Sequence, residues 1–155
     1  MDEVMPLYSA EFFVPGTAKG KARGRAVNAG AHARVYPSKT DLGWKAAIRL
    51  ATYARCNGIQ IDAASPVRLA LRFQMQRPRS HFGTGRNANK LKPTAPTYCL
   101  TTPDLDNSEG AVMDAITESG LWIDDKQVCD MRSMKVYTGR DEVPGVWIDI
   151  EAMEP

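Results

Sequence analysis

Residues 102–128 read TPDLDNSEGAVMDAITESGLWIDDKQV, a helix-like segment with a pair of aspartates on either side. Apolar residues recur three and four positions apart through its middle, which is the spacing of one buried helix face. They are Ala111, Val112, Ala115 and Ile116. The spacing predicts a helix over 107–119, and Gly120 is a residue type that commonly ends helices. The segment therefore predicts a helix between two acidic turns.

The rest of the chain supplies strands and a second helix around this segment. A stripe that contains Trp44 and Ile48 predicts a helix over 39–57. Alternating apolar residues and turn residues predict strands over 7–14, 66–76, 127–137 and 145–152, an extended stretch over 121–123 and a turn over 138–141.

Two further segments are rich in Gly, Pro and basic residues. Residues 15–37 and 78–103 are expected to be long loops, and a loose hairpin is the alternative for the first. The order of strands, loops and helices predicts one α+β domain over 1–155, with a mixed sheet packed against two main helices.

The composition is that of an ordinary globular domain. The chain has 155 residues, of which 43% are hydrophobic and 25% charged, enough to form a core of its own. No apolar run reaches the length of a membrane span, and the first residues are acidic where a signal peptide needs positive charge. Three cysteines without a CxxC spacing favour a reducing compartment. We therefore expect a cytoplasmic protein without membrane association.

Charge is divided unevenly along the chain. Residues 1–101 hold 16 Lys and Arg against 5 Asp and Glu, whereas residues 102–155 hold 4 against 13. Such a chain can bind a polyanion with its first region and a divalent cation with its second. The alternative, that the basic loops are only solvated surface, stays open. The candidate DNA contacts are Lys19, Lys21, Arg23, Arg25, Arg77, Arg79, Arg86, Lys90 and Lys92.

The two aspartate pairs suggest a cation site. The proline before Asp104 favours extended backbone, so Asp104 and Asp106 are expected to project from one face. Neighbouring carboxylates repel unless a proton or cation lies between them, and hard oxygen ligands suit Mg²⁺ or Mn²⁺. The alternative is a turn in which Asp106 or Asn107 caps the helix and Asp104 is solvated. The strand after the helix is expected to bring Asp124 and Asp125 back beside the first pair.

Together these motifs resemble the RusA family of Holliday-junction resolvases. The matching segments are PDLDN at 103–107, AVMDA at 111–115, LWIDDKQV at 121–128, and the basic opening VPG at 14–16 with KGKAR at 19–23. The resemblance implies a RusA-like fold and a structure-specific endodeoxyribonuclease. Such an enzyme resolves four-way junctions by paired phosphodiester hydrolysis in DNA recombination and repair. The resemblance also implies a homodimer that binds branched DNA and needs no nucleotide cofactor. Phage and prophage members of the family are the ones that this chain resembles.

The resemblance assigns roles to the acidic residues. Three aspartates of the family bind Mg²⁺ and are needed for cleavage, and the family pattern places them at Asp104, Asp106 and Asp125. It gives Asp124 a structural or supporting position, with Asp124 in place of Asp125 as the alternative third ligand, and it gives Asp114 a helix-packing or supporting position.

The chain departs from the family pattern at Gly110, where the family has a lysine. Lys126 is a candidate substitute for that charge. The alternative function is therefore a catalytically impaired RusA-like protein that binds branched DNA without cutting it. A nucleotide hydrolase is a further alternative, but the Gly-rich segment at 15–21 does not match the GxxxxGK[ST] phosphate loop that such an enzyme needs.

Overall fold

The computed structural model describes residues 5–21, 25–29, 32–36 and 42–155, and for the two short ranges it describes the backbone alone. In chain order the elements are β1 (Tyr8–Pro15), β2 (Arg25–Ala29), β3 (His32–Tyr36), α1 (Leu42–Arg55), β4 (Val67–Met75), α2 (Leu105–Ser119), β5 (Val128–Tyr137) and β6 (Gly145–Ala152). Single 3₁₀ turns occur at Arg79–His81, Gly85–Asn87 and Asp125–Gln127.

Four strands form one mixed sheet in the order β1-β6-β4-β5. Strand β6 is antiparallel to both β1 and β4, whereas β4 and β5 are parallel. Strands β2 and β3 form a separate antiparallel hairpin, the alternative that the sequence left open for residues 15–37. The α+β prediction with a mixed sheet and two main helices is confirmed.

The core lies between one face of the sheet and the two helices. Alternate residues of β4 are buried, as their spacing predicted, and they pack with the inner faces of α1 and α2. The four apolar residues that predicted α2 are all fully buried. Because α2 is fixed by this face, the turns at its two ends have defined positions relative to the sheet.

The prediction of an extended stretch over 121–123 is wrong. Gly120 adopts a left-handed conformation with φ of 83° and ends α2, and the chain then bends. Trp122 is 1% exposed, and its indole N–H donates to the Thr117 hydroxyl at 2.7 Å. Burial of this ring against the last turns of α2 requires the bend, which a strand pattern does not reveal.

The helix boundaries also differ from the prediction. Helix α2 begins at Leu105, two residues earlier than expected, because Asp104 and not a later residue occupies the capping position. Helix α1 is described from Leu42 to Arg55, and the predicted residues 39–41 lie outside the described ranges. No helix among the described residues is long and apolar enough to span a membrane.

The loop over 78–103 contains no α-helix and is anchored at its start by Arg77. The Arg77 guanidinium donates to the backbone carbonyls of Thr138 at 2.9 Å and Pro96 at 2.7 Å. It also lies 5.4 Å from the centre of the Tyr137 ring. Arg77 therefore ties this basic loop to the end of β5.

Candidate active site

The first acidic turn presents exposed carboxylates at the start of α2. Asp104 has extended backbone and its carbonyl accepts hydrogen bonds from the Ser108 N–H at 3.0 Å and the Ser108 hydroxyl at 2.9 Å. The Asp104 carboxylate makes no capping hydrogen bond, and Asp106 lies in the first helical turn. The expectation that both project from one face of an extended segment is wrong, because the helix begins between them. The cap by Asp106 or Asn107 is therefore wrong, whereas the Asp104 carboxylate is exposed as that alternative expected. Both carboxylates are exposed at a helix N-terminus, where the helix dipole favours their negative charge.

Two side chains of strand β5 make hydrogen bonds to this turn and to the first part of α2. The Lys135 ammonium donates to the carbonyl of Pro103 at 2.6 Å and also to the carbonyl of Thr101. Ser133 donates from its hydroxyl to the Glu109 carboxylate, one turn into the helix. These contacts fix the backbone that carries Asp104. No sequence pattern singles out Lys135, because its partners are main-chain carbonyls more than 30 residues away.

The second acidic turn uses one of its aspartates to build its own structure. The Asp124 carboxylate accepts from the Lys126 N–H at 2.9 Å and caps the 3₁₀ turn that begins at Asp125. That backbone hydrogen bond lowers the pKa of the Asp124 carboxyl below its ordinary value. Asp125 is exposed beside it. This supports the assignment of Asp124 to a supporting position, while the ligand role of Asp125 stays a prediction.

Gln127 completes the turn from inside. It is 7% exposed, and its side-chain oxygen accepts from the Ile123 N–H at 2.9 Å. Its amide nitrogen donates to the carbonyls of Asp62 at 2.9 Å and Ser65 at 3.2 Å. Within the DDKQ motif at 124–127, Asp124 and Gln127 therefore each have a structural role that does not depend on a metal.

The two acidic turns stand at different ends of α2. Asp124 and Asp125 line a cleft of about 320 Å³ with side chains from the C-terminal half of the helix, namely Asp114, Thr117 and Glu118. Since an α-helix rises about 1.5 Å per residue, Asp106 and Asp114 are about 12 Å apart along the axis. The expectation that the returning strand brings the second pair beside the first is wrong. Strand β5 runs back along α2, and its residues 133 and 135 are the ones that reach the first turn.

This separation bears on metal binding. The oxygen ligands of Asp104, Asp106 and Asp125 match the preference of Mg²⁺ and Mn²⁺. Within residues 5–21, 25–29, 32–36 and 42–155, however, no three Asp, Glu, His or Cys side chains are grouped closely enough to hold a metal ion. The described chain therefore carries the right donors without a preassembled three-ligand centre.

The candidate DNA contacts fall into three groups. Lys19, Lys21 and the loop residues Arg79, Arg86, Lys90 and Lys92 are exposed. Arg77 has its donors engaged within the protein, as described above. Arg23 and the side chain of Arg25 lie outside what the structure describes. A role in DNA binding stays a prediction for the whole set.

The remaining residues with suggested supporting roles make ion pairs around the cleft. The Lys126 ammonium is 3.9 Å from the Asp124 carboxylate, and its side chain is 82% exposed. Asp114 pairs with Lys21 at 3.0 Å, a contact between residues 93 positions apart. The sequence analysis names Lys21 and Asp114 as candidates, but spacing along the chain cannot indicate that they are in contact.

The described chain combines exposed aspartates at the start of α2 with exposed basic residues on an α+β domain. The family model described as endodeoxyribonuclease RusA matches residues 15–151, and the chain belongs to this family. The crossover junction endodeoxyribonuclease RusA of Escherichia coli strain K12 is 52% identical over 33 residues. That alignment covers 21% of this chain and 28% of the relative. Proteins of the same name from Escherichia coli O1:K1 and Shigella sonnei match to the same extent. The matched region thus spans little more than a quarter of the length of these relatives.

Proposed function

We propose that this protein is a structure-specific endodeoxyribonuclease that resolves four-way DNA junctions in recombination and repair. One observation carries the proposal: Asp104 and Asp106 are exposed at the start of α2, and Asp104 is free of capping bonds, within the region that matches the RusA family. A carboxylate that served only to cap the helix would be occupied by backbone N–H groups. The relatives named above are crossover junction endodeoxyribonucleases, which gives the substrate class.

The proposal includes Mg²⁺, with Mn²⁺ as a substitute, held by Asp104, Asp106 and Asp125. When bound, such an ion would polarise the phosphate and lower the pKa of a water molecule for in-line attack. The protein's own contribution is positional: Lys135 holds the backbone of the first turn, and Gln127 with Asp124 holds that of the second. Because the acids stand in two groups, we expect weak metal binding by the free protein and stronger binding in the presence of DNA.

The proposed partners are branched DNA and a second copy of the chain. A four-way junction has approximate two-fold symmetry, and paired nicks call for two sites related by the same axis. Light scattering at micromolar concentration should give about twice the 17.1 kDa of one chain. A monomer both with and without junction DNA would contradict cleavage by paired nicks.

A catalytically impaired junction-binding protein is the second candidate, and Gly110 is the observation that favours it. In this reading the chain retains the fold and the basic loops but has lost the helical lysine of the family pattern. A protein of this kind would bind branched DNA with the same salt dependence as an enzyme, since phosphate contacts dominate that term. Binding alone therefore does not separate the two candidates.

An end-labelled synthetic four-way junction separates them. We expect the wild type to produce symmetric nicks in Mg²⁺, to leave a linear duplex of the same sequence intact, and to stop when the metal is chelated. Junction binding without any cleavage in Mg²⁺ or Mn²⁺ would favour the impaired binding protein. Equal affinity for the junction and the duplex, with no cleavage of either, would overturn both candidates.

A further inference from the structure

Lys21 is docked against α2 by its own backbone and by its neighbour. The Lys21 N–H donates to the carbonyl of Asn107 at 2.9 Å. Gly20 packs directly against the Asn107 side chain and Pro103, and a Cβ at position 20 would collide with the Asn107 amide group. The segment that carries Lys21 therefore approaches the first acidic turn as closely as glycine permits.

Gly110 leaves the space that the Lys21 side chain occupies. A Cβ at position 110 would lie 3.5 Å from the Lys21 Cδ and 3.9 Å from its Cβ, which is ordinary van der Waals contact. The side chain continues along the helix until its ammonium reaches Asp114 at 3.0 Å. Since Asp106, Gly110 and Asp114 are spaced four residues apart, they lie on one face of α2. The Lys21 side chain therefore passes over Gly110 and places its positive charge beside Asp114, one turn further along α2.

The ion pair with Asp114 leaves this charge available. The Lys21 side chain is 54% exposed and that of Asp114 is 26% exposed, and pairs of this kind contribute little to stability. The ammonium can therefore exchange the carboxylate for a phosphate oxygen at small cost. Of two other lysines, Lys135 is more constrained because it bonds main-chain carbonyls, and Lys126 is paired with Asp124 of the second turn.

We propose that Lys21 is the phosphate-binding cation of this site, and that its ammonium moves from Asp114 to a DNA phosphate that lies along α2. This rests on the proposed function, since it assigns a role within the same site. Negative charge that develops on a phosphate during hydrolysis would repel the surrounding carboxylates, and a fixed cation offsets that repulsion most strongly in the transition state. Helix α2 contains no Lys or Arg of its own, so the N-terminal segment supplies the positive charge on this face.

The test compares Lys21→Met with Lys19→Met, which removes the same charge from an exposed neighbour on the same segment. We expect Lys21→Met to lower the single-turnover cleavage rate at saturating junction at least about tenfold. Its junction Kd should change by less than about threefold. Lys19→Met should weaken junction binding more than Lys21→Met does, and its rate at saturating junction should fall less than that of Lys21→Met. Gly110→Lys added to Lys21→Met should recover most of the rate, because its ammonium can reach the same space.

Wild-type cleavage by Lys21→Met, or an equal loss of rate in Lys19→Met, would overturn the assignment of Lys21. A second measurement is independent of cleavage: junction DNA should protect Lys21 from acylation by an amine-specific reagent, read by mass spectrometry, while Lys126 stays reactive. A wild type that binds but does not cut overturns the proposed enzyme, and protection of Lys21 then decides the phosphate assignment by itself. Full reactivity of Lys21 in the bound complex contradicts it.

Discussion

The two acidic turns that flank α2 both contain a pair of aspartates, but the hydrogen bonding of their carboxylates differs. In the first, Asp104 stands at the capping position with its carboxylate unused, and the backbone is held from outside by Lys135. In the second, the Asp124 carboxylate accepts a hydrogen bond from the N–H of Lys126, and the buried Gln127 side chain accepts one from the N–H of Ile123. An aspartate pair is therefore not a functional unit by itself. What distinguishes a candidate ligand from a structural residue is whether its carboxylate already accepts a hydrogen bond from the local backbone.

The largest expected effect concerns the exposed members of the two turns. Asp106→Asn and Asp125→Asn should each lower junction cleavage at least about a hundredfold, because each removes a charge from the proposed ion site. Junction binding should be unchanged or tighter, since a negative charge near phosphate is lost. Cleavage and electrophoretic binding assays on the same preparations measure both. Normal cleavage by Asp125→Asn would remove that residue from the ligand set.

Gln127→Ala should affect stability more than any other change in the second turn. It would leave the carbonyls of Asp62 and Ser65 without their buried donor, at a cost of about 2 kcal/mol. Urea denaturation would show the loss as a lower midpoint at an unchanged slope. A stability equal to that of the wild type would mean that the turn does not depend on this residue.

The equivalent change in the first turn is Lys135→Met, which keeps the aliphatic stem and removes the donor. We expect a loss of about 1 kcal/mol, because its carbonyl partners are partly exposed to water. Cleavage should fall as well, since the backbone that carries Asp104 is no longer held. Urea denaturation and the junction assay together distinguish this from a purely structural effect: stability lost with cleavage retained would show that the position of the turn is not critical.

Between the turns, Gly110→Ala should stabilise α2 by about 0.5–1 kcal/mol, because glycine inside a helix is costly and a methyl group fits at 3.5 Å from Lys21. Cleavage should be unchanged, since the Lys21 ammonium keeps its place. Thermal denaturation beside a cleavage assay checks both statements. A destabilised Gly110→Ala would show that Lys21 packs more tightly on the helix than these distances indicate.

The smallest expected effect is a pH dependence that belongs to the second turn. The pKa of Asp124 is lowered in the folded protein, so its cap contributes stability above the ordinary pKa of the group and loses it as pH falls through the lowered value. At neutral pH the Asp124→Asn variant should be less stable than the wild type. The difference between their free energies of unfolding should shrink as the solution is acidified below about pH 4. A difference that stays constant down to pH 2 would contradict the capping role.

The sequence predicted local structure well and long-range placement poorly. The period of α2 and the alternation of β4 and β6 were sufficient to predict those elements, because burial of one face fixes the pattern. The bend at residues 121–123 was missed because it depends on where the Trp122 ring is buried.

In the site, the sequence predicted the acidic residues but not their grouping. Which strand residue meets the first turn depends on how β5 runs beside β4, and that register is set by the whole sheet. The contact between Lys21 and Asp114 joins residues 93 positions apart and leaves no local signal. Gly110 was the nearest indication, since a glycine inside a helix often makes room for a neighbour.

The difference between the two turns is tested most directly by junction cleavage with the matched variants Asp104→Asn and Asp124→Asn in Mg²⁺, with binding measured on the same samples. We expect Asp104→Asn to bind the junction and not to cut it. Asp124→Asn should be less stable but should still cut at a temperature at which it is folded, because an amide oxygen can still accept the capping hydrogen bond. Cleavage by Asp104→Asn at the wild-type rate, with activity lost only in folded Asp124→Asn, would contradict the distinction between the two turns.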